Sequence, residues 1–463
     1  MTHRSTDTIN VLVPTGALGA GVREADLTPE ILSGAHAIAC DAGSTDSGPA
    51  YLATGLPKYS RDAVKSDLAM LMRARAAARI PLLIGSCGTS GCDMALDWTR
   101  DIALEIAKEQ GLSLRIALLY SEQSAGLLDA RAAAGRITPL APMTASDPLP
   151  FDQCDHIVAL MGPEPYIAAL EAGADIVLGG RTTDTAVLAA LPLLRGAGTG
   201  PAWHAGKIAE CGGLCALNPR DGGVMIRVGR DSFDVEPLSS KNHCTPRTVS
   251  AHMLYENSDP FQLIEPGGIL DVTAARYEAI DERSVRVTGS RFVPMPYTMK
   301  LEGAAGAAFQ TIMIVGIQDR SVLAEIDRFL AQMHSHLTAR VKDTMGHAAG
   351  EFDISLRPYG WNAVSGPGVN VPTTTPHEIG LMFVATAATQ AQATQIAKTC
   401  NPLFFHMPLN QDVPLPSYAF PFSPAEIERG QVFEFKLNHV VHVSDPMELV
   451  RTVFVQVGEK QYA

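Results

Sequence analysis

Residues 9 to about 195 alternate short apolar segments with longer segments of helical periodicity, and this alternation limits the possible folds more than any other feature. The apolar segments are rich in β-branched residues and predict strands at INVLVP, HAIACD, PLLIGS, LRIALLY, HIVALMG and ADIVLGG. Between them, apolar residues recur at helical spacing in stretches such as DAVKSDLAMLMRARAAARI and ALDWTRDIALEIAKEQG. Strands that are apolar on both faces and separated by helices are typical of a parallel sheet covered by helices. The sequence therefore predicts an α/β fold with a doubly wound, mostly parallel sheet.

The second half of the chain shows a different order of predicted elements. A Gly- and Pro-rich segment, LLRGAGTGPAW, separates the halves, so we predict a Rossmann-like α/β domain over residues 1–200 and an α+β domain over 201–463. Within the second domain, residues 205–300 form a β-rich insert with strands at GGVMIRV, DSFDVEP and SVRVTGSRF. Residues 305–445 then follow the order βαββαβ, which is typical of a ferredoxin-like unit. Its long connection, residues 360–376, is of a length that is more often functional than idle.

Composition and charge exclude several classes of partner. The net charge is −13 and no Lys/Arg-rich run is present, which argues against nucleic acid as the main partner. No apolar run approaches the roughly 18 residues of a membrane span, and MTHRSTDTINVLVP lacks the apolar core of a signal peptide. We therefore expect a cytoplasmic protein without a membrane partner.

Two further counts bear on assembly and on metal chemistry. Charged residues make up 18% of the chain, below the roughly 25% of ordinary domains, so we expect part of the surface to be buried in a homo-oligomer. The eight cysteines contain no CxxC pair, which favours buried free thiols over a zinc site or a disulfide framework.

Four predicted strands lead directly into loops rich in Gly, Ser and Thr, and each loop then enters a helix. The loops are TGALGAG after the first strand, AGSTDSGP after the second, SCGTSGCD after the third and GGRTTDTA after ADIVL. Helix N-termini and close-lying backbone N–H groups at strand ends are suited to an anion. Any single loop is more often a plain turn with a helix cap, but four of one kind on one sheet edge predict a shared small-molecule site. The predicted substrate-binding residues are Thr15, Ser44, Asp46, Ser86, Thr89, Ser90, Gly180 and Arg181.

Motifs for organic cofactors are weak in these loops. The GxGxxG fingerprint is not cleanly present and no GxxxxGK[ST] sequence occurs, so neither dinucleotide nor nucleoside triphosphate binding is favoured. We expect no cofactor, with a divalent metal ion as the remaining option. Asp41 and Asp46 flank one loop, where paired carboxylates could share a proton, hold a divalent cation or cap a helix.

Arg181, in GGRTTD, is the leading candidate for contact with substrate. Its planar fork suits a two-point contact with a carboxylate or a phosphate, and it follows an apolar strand where an unpaired charge is costly. A structural ion pair is the alternative. Asp184 lies three residues later, in the first helical turn, where it could also act as a cap.

Acid–base candidates also occur outside the predicted sheet. Lys207 and Glu210 lie in AGKIAECGG, and Lys241 and His243 lie in SSKNHCTP. A lysine or histidine in a dry cleft can have its pKa moved towards neutrality and serve as an acid or a base. His406, in LFFHMP, is expected to be a hydrogen-bonded core residue, and Cys87 has no identifiable histidine partner for nucleophilic catalysis.

Several blocks of the chain, taken together, resemble one protein family. AGADIVLGGRTTDTAVL, AGKIAECGG, TPRTVSAHMLYENSDPFQLIEPGGILD and RVTGSRFVPMPYTMKLEGA follow one another as the corresponding blocks do in the acyclic terpene utilization protein AtuA family. The resemblance covers most of residues 9–440 and implies a catabolic enzyme. Matching positions are Gly180, Arg181 and Asp184 in the Gly-Arg-x-x-Asp turn, and Glu210, Cys211 and Gly212 in the ECG element.

Two departures indicate a divergent subgroup of that family. Lys207 precedes the ECG element where the family carries a histidine, and the loops CDAGSTDSGP and GSCGTSGCD differ from those of the terpene-pathway members. The resemblance therefore implies the family without carrying over its terpene substrate.

From these residues we expect a cofactor-independent lyase or isomerase, most concretely a hydro-lyase acting on a small hydroxy or unsaturated carboxylic acid. The loops and Arg181 would hold the substrate carboxylates and stabilise the charge that develops when a neighbouring proton is removed. The catalytic pair would take one member from Asp184 or Glu210 and the other from Lys207 or His243.

Two alternatives remain open from the sequence. One is an enzyme of acyclic terpenoid or acyl-CoA catabolism, which a long apolar groove beside the loops would favour. The other is a non-catalytic ligand-binding subunit, which dispersed loops or an Arg181 neutralised by a surface carboxylate would favour.

Overall fold

The computed structural model describes residues 8–144, 149–255, 258–368, 374–412 and 415–458. The chain forms two compact units: unit 1 comprises Met1–Ala305 and Phe435–Ala463, and unit 2 comprises Gly306–Glu434. This division does not coincide with the predicted boundary at residue 200. The strands predicted in the insert 205–300 belong to unit 1, because they extend the same sheet as the first strand.

The N-terminal part of unit 1 alternates strands and helices as the periodicity predicts. Its strands are β1 (Ile9–Val13), β2 (Ala37–Asp41), β3 (Leu82–Gly85), β4 (Leu114–Tyr120), β5 (Ile137–Pro139), β6 (His156–Ala159) and β7 (Ile176–Gly179). Its helices are α1 (Pro29–Ser33), α2 (Ala50–Thr54), α3 (Arg61–Ala78), α4 (Asp93–Glu109), α5 (Ala125–Ala133), α6 (Glu164–Glu171), α7 (Asp184–Leu194) and α8 (Thr199–Ala209).

The remaining elements are mostly strands until the βαββαβ region begins. They are β8 (Val224–Val228), β9 (Ser232–Pro237), α9 (Pro246–His252), β10 (Gln262–Glu265), β11 (Gly268–Asp271), β12 (Arg276–Ala279), β13 (Val285–Thr288) and β14 (Arg291–Pro294). The later elements are β15 (Thr298–Ile317), α10 (Arg320–Ala324), α11 (Ile326–Met345), β16 (Phe352–Tyr359), β17 (Ile379–Ala387), α12 (Gln390–His406), β18 (Ile427–His442) and β19 (Arg451–Val457).

The main sheet of unit 1 has the strand order β12-β13-β9-β8-β1-β2-β3-β7-β4-β19. Its central strands β1, β2, β3, β7 and β4 are parallel, which confirms the α/β class. Both edges are antiparallel, so the sheet is mixed rather than mostly parallel. The physical reason is local: β8 and β9 are joined by three residues, a connection that only an antiparallel hairpin allows.

Two strands depart from the expected arrangement. The predicted strand HIVALMG contains β6, which pairs antiparallel with β15 from Leu301↔Ala159 to Ala304↔His156 and does not join the parallel strands. β19 was not predicted, and it pairs antiparallel with β4 along its whole length. β15 begins at Thr298, before residue 305, where the ferredoxin-like unit was predicted to start, and its residues 301–304 pair with β6.

Hydrophobic residues cover both faces of the parallel strands. Alternate residues of each strand point to opposite faces, so Val11 and Val13 join one core with α7 and α8, while Leu12 joins a second core with α3 and α4. β2, β3 and β7 are buried along their whole length. This burial explains why these segments are almost entirely apolar, with Asp41 at the end of β2 as the buried charged residue among them.

Unit 2 follows the predicted βαββαβ order, with strands arranged β16-β17-β15-β18. Residues of α11 and α12 share one core with β15 and β17, including Phe329, Phe383 and Phe404. Part of the long connection 360–376, residues 369–373, lies outside the described residues. Among the helices that are described, none is both long and apolar enough to cross a membrane.

We expect Gly91→Ala to destabilise unit 1 strongly. Gly91 has φ of +66°, and a Cβ there would lie 2.3 Å from the backbone N of Arg181, so the loop after β3 would have to move away from the loop after β7. The free energy of unfolding should fall by at least about 2 kcal/mol. The control is Gly126→Ala, where a Cβ meets nothing within 4 Å on a helix. The free energy of unfolding of that variant, measured with denaturant, should rise by up to about 1 kcal/mol. Equal changes at both positions would contradict the packing described.

Candidate active site

The four Gly-rich loops lie side by side at one edge of the sheet. They follow β1, β2, β3 and β7, which are parallel and are neighbours in that order. Two backbone hydrogen bonds join the loops after β3 and β7. Ser86 N–H donates to the carbonyl of Gly180 at 3.1 Å, and Arg181 N–H donates to that of Gly91 at 3.0 Å. The parallel order thus brings residues far apart in the chain to one place.

The loop after β1 packs against the ECG element. A Cβ on Gly16 would lie 2.5 Å from the carbonyl carbon of Cys211, so only glycine fits there. Ser86 and Thr89 have positive φ angles of 46° and 87° although neither is glycine. For a β-branched residue such as Thr89 this conformation is strained, and such strain concentrates at functional sites.

The larger of two adjoining cavities, called the main cavity below, has a volume of about 700 Å³ and is lined by two chemically different sets of side chains. The polar set includes Asp46, Arg181, Thr183, Asp184, Thr185, Lys207, Glu210, Asp259, Glu265 and Lys300. The apolar set is Leu140, Leu160, Leu263, Ile264, Pro266, Ile269 and Val440. Cavities of roughly this size, with apolar walls and a few polar groups, are typical of small-molecule sites.

The second cavity, called the small cavity below, has a volume of about 310 Å³ and is more polar. Residues from three of the loops line it together with the ECG element: Gly16, Ala17, Asp41, Gly43, Ser44, Asp46, Ser47, Thr89, Glu210 and Cys211. Asp46, Asp184 and Glu210 line both cavities. The two cavities therefore meet at a group of carboxylates.

Arg181 is 4% exposed and all three nitrogens of its guanidinium have partners. Nε donates to Glu302 at 3.2 Å, Nη1 to Ser86 at 3.2 Å and to Asp184 at 3.4 Å, and Nη2 to the Thr45 hydroxyl at 3.4 Å. A two-point contact with a substrate carboxylate would have to break one of these bonds. The structure thus places Arg181 in a structural network at the cavity rather than leaving its fork free.

Glu302, on β15, is the main counter-ion of this network and was not identified from the sequence. Although burial alone would raise its pKa, the charges of Arg181 and Lys300 hold the pKa of Glu302 at about 2. Lys300 Nζ lies 2.7 Å from Glu302 Oε1, and the Thr45 hydroxyl donates at 2.9 Å to Oε2, the oxygen that Arg181 contacts. Glu302 is therefore an ionised, buried carboxylate.

Lys207 and Glu210, near the end of α8, form a buried ion pair with Nζ and Oε1 2.5 Å apart. Burial raises the pKa of Glu210 to about 8, against the lowering effect of Lys207. Burial would lower the pKa of Lys207, but the charge of Glu210 outweighs it and raises that pKa. Both predicted residues line the main cavity.

Two aspartates also hold protons more tightly than in water. Burial raises the pKa of Asp184, with Arg181 acting in the opposite direction. Burial raises the pKa of Asp41 well above its usual range, and the nearby charge of Asp184 adds to the effect. Asp41 Oδ1 has no hydrogen-bond partner within the part of the chain that is described.

Glu265, on β10, is the residue of the main cavity that sequence reasoning missed most clearly. Burial raises the pKa of Glu265 to about 7, while the hydrogen bond from the Thr185 hydroxyl, at 2.9 Å, opposes the rise. The available signal was the alternation in QLIE, where Leu263 and Glu265 share the buried face of the strand. A carboxylate on an apolar face indicates a group that is paired or functional.

Four of the predicted residues are buried but line neither cavity: Thr15, Ser86, Ser90 and Gly180. The hydroxyls of Thr15 and Ser90 donate within their own loops, to Ala17 O at 3.1 Å and Cys92 Sγ at 3.4 Å, whereas the Ser86 hydroxyl donates to Thr182 O of another loop at 3.2 Å. Burial raises the pKa of the Cys87 thiol, which opposes a nucleophilic role.

Of the second predicted acid–base group, neither member lines a cavity. His243 is half-buried and Lys241 is exposed, both outside the two cavities. His252, at the end of α9, lines neither cavity, but one of its ring nitrogens lies within 4.8 Å of ligand atoms of Glu210 and Cys211. Burial, with the charge of Lys207, lowers the pKa of His252 to about 4, so its ring is neutral at pH 7. The core position expected for His406 is wrong, because the ring is exposed at the end of α12 and contacts the carbonyl of Pro416.

Comparison with known protein families gives one match that covers well over half of the chain. Residues 57–216 and 233–430 match the family described as "Acyclic terpene utilisation family protein AtuA". The chain belongs to this family. No curated protein and no solved structure matches it.

Membership of the AtuA family confirms the resemblance seen in the sequence and associates the chain with acyclic terpene utilisation. The matched segments contain Arg181, Lys207, Glu210, Glu265 and Glu302. Asp41 and Asp46 precede the first matched segment. The carboxylates where the cavities meet therefore come from both inside and outside the matched residues.

Arg181→Ala should destabilise the protein as well as disturb the site. The variant leaves the buried charge of Glu302 without its main partner, and breaking a buried pair in this way costs about 3–5 kcal/mol. The double variant Arg181→Met/Glu302→Leu should recover much of that loss in chemical denaturation. Arg61→Ala, which removes an exposed pair with Glu105, is the control and should change stability little. A fully stable Arg181→Ala protein would refute the structural role assigned to this guanidinium.

Proposed function

We propose that the chain is a hydro-lyase of acyclic terpenoid breakdown, which adds water to, or removes it from, the acyl end of a branched apolar acid. The observation that carries the proposal is the main cavity, where seven apolar side chains accompany several titratable carboxyls in about 700 Å³. The apolar side chains suit a branched hydrocarbon chain, and the polar ones suit its acyl end. The description of the AtuA family supports the same class of substrate.

Charge in the main cavity bears on the chemical form of the substrate. The lining carboxyls Asp46, Asp184, Glu210, Asp259 and Glu265 outnumber the cations Arg181, Lys207 and Lys300. Each of these cations already contacts a carboxylate. Because each cation already has a carboxylate partner that a substrate carboxylate would have to displace, a neutral acyl thioester fits better than a free acid. This differs from the free carboxylic acid that the sequence favoured.

The proposed reaction uses one base, one acid and one hydrogen-bond donor. In the dehydration direction, the Glu265 carboxylate takes the proton from the carbon next to the carbonyl, while Lys207 donates a hydrogen bond to the carbonyl oxygen as negative charge develops there. Protonated Asp184 gives its proton to the β-hydroxyl as the C–O bond breaks. Water leaves, a double bond forms between the two carbons, and hydration is the reverse sequence.

Turnover should be found with branched acyl thioesters. The panel consists of 3-hydroxyacyl and 2-enoyl thioesters with branched apolar chains, the corresponding free acids, and small hydroxy acids without a chain. Incorporation of ¹⁸O from labelled water into the product measures hydration directly. Preference for the small hydroxy acids would favour the alternative of a small-acid hydro-lyase. Tight binding of the panel without any turnover would favour a non-catalytic subunit.

The pH dependence of turnover should depend on Glu265. In the dehydration direction the base must be ionised, so kcat/KM should rise with pH and level off above its pKa of about 7. In the hydration direction kcat/KM should instead fall as the pH rises through this pKa, because Glu265 must then be protonated. Glu265→Gln should lower kcat by about 100-fold or more and abolish this dependence of kcat/KM on pH.

The matched control is Glu164→Gln. Burial also raises the pKa of Glu164, which accepts a hydrogen bond from Tyr297 at 2.6 Å, but this carboxyl does not line either cavity. The Glu164→Gln enzyme should therefore keep the rise of kcat/KM with pH. A Glu265→Gln enzyme with an unchanged pH profile would exclude Glu265 as the base.

A further inference from the structure

Three potential metal ligands lie together beside the small cavity, which Glu210 and Cys211 line. They are a carboxylate oxygen of Glu210, the Sγ atom of Cys211 and a ring nitrogen of His252, and these atoms lie within 4.8 Å of one another. Glu210 ends α8, Cys211 follows it directly, and His252 ends α9. The separation suits three ligands around one ion, because ligand atoms at about 2.0–2.3 Å from a zinc ion lie closer than that to each other.

His252 has a ring nitrogen that no hydrogen bond accounts for. His252 is only 5% exposed, and its Nε2 atom has no hydrogen-bond partner among the residues that the structure describes. The ring stacks on Tyr255 with centroids 5.7 Å apart, which fixes its orientation. A buried polar atom without a partner is costly, so an unplaced partner is expected at that position.

The surroundings have an excess of negative charge beside the same three residues. Asp41, which is 4% exposed and also carries an oxygen without a partner in the described chain, lines the small cavity with Glu210 and Cys211. Asp46 and Asp184 line it as well, and Lys58 is the cation of that lining. A divalent cation would relieve the repulsion among these carboxylates.

We propose that Glu210, Cys211 and His252 form a binding site for a divalent transition metal ion of the zinc type, with the fourth position open to the cavities. One oxygen, one sulfur and one nitrogen ligand suit zinc, and three protein ligands with an open position are the arrangement of catalytic zinc sites. The proposal rests on the proposed function for its chemical role, which is to polarise a carbonyl or bind the reacting water. The site itself is argued from geometry alone.

The competing interpretation is that Lys207 is the only cation of this cluster. Its ammonium group contacts Glu210 at 2.5 Å and so already supplies one positive charge. That interpretation leaves His252 Nε2 and the unpartnered oxygen of Asp41 without an explanation. It predicts no stoichiometric binding of metal, whereas the proposed site predicts one ion per chain.

The test is titration of chelator-treated full-length protein with Zn²⁺ and, separately, with Co²⁺. Calorimetry should give one equivalent of Zn²⁺ per chain, and Co²⁺ should show thiolate-to-metal charge-transfer absorption that Cys211→Ser removes. Three variants should each weaken Zn²⁺ binding: His252→Ala, Cys211→Ser and Glu210→Gln. The loss should be at least the 10- to 100-fold that is typical when a residue hydrogen-bonded to a metal ligand is removed. Circular dichroism checks that each variant is folded, and Cys211→Ser with an intact spectrum is decisive if another variant unfolds.

Two controls separate this site from other thiols and imidazoles. Cys92, Glu122 and His156 form a second trio of possible ligands among the described residues, so His156→Ala should leave the binding unchanged. Cys154→Ser removes a partly exposed thiol outside both trios and should also have no effect. Absence of stoichiometric binding, or binding lost in His156→Ala and retained in His252→Ala, would overturn the proposal.

The outcomes also distinguish this inference from the proposed function. Metal binding that depends on His252, together with no turnover of any substrate in the panel, would support the site and refute the hydro-lyase. Turnover by chelator-treated protein that binds no metal would support the hydro-lyase and refute the metal site.

Discussion

The buried ion pair between Arg181 and Glu302 is the interaction on which the arrangement of the site depends. Arg181 follows β7, Glu302 lies on β15, and the hydroxyls of Thr45 and Ser86 from two further loops bond to the same pair. A charge in such a dry position must be compensated, so these loops cannot separate without a large cost. The pair therefore joins the loops after β2, β3 and β7 into one structure and sets the boundary of the main cavity.

This arrangement accounts for the chemistry available in the cavities. Burial raises the pKa of the remaining carboxyls, and the opposing charges of Arg181 and Lys207 do not cancel this effect. Burial raises the pKa of Glu210 to about 8 and that of Glu265 to about 7, which are the values of groups that can exchange protons near neutral pH. Acid–base chemistry and cation binding are the two roles proposed for these carboxyls, the first for Glu265 and Asp184 and the second for Glu210.

The sequence predicted the elements that local pattern determines. The central strands, the long helices and the position of the Gly-rich loops at one edge all follow from periodicity and from the geometry of parallel strands. It did not predict the pairing of Arg181 with Glu302, which are 121 residues apart, or the burial of Glu265 against Thr185. Such contacts depend on how distant strands pack, which one sequence does not reveal. For the same reason the sequence pattern points to His243 and not to His252, whose position near Glu210 depends on the path of α9.

The most direct test of this account is the titration of Glu265 in the free protein, followed by NMR of ¹³C-labelled glutamate carboxyls and assigned by difference from Glu265→Gln. The central claim is that packed loops exclude water from these carboxyls strongly enough to raise their proton affinity. It predicts that Glu265 titrates with a pKa of about 7. A pKa near the solvent value of 4.5 would contradict it, because it would mean that water reaches the carboxyl and that the cavity is not the dry site described.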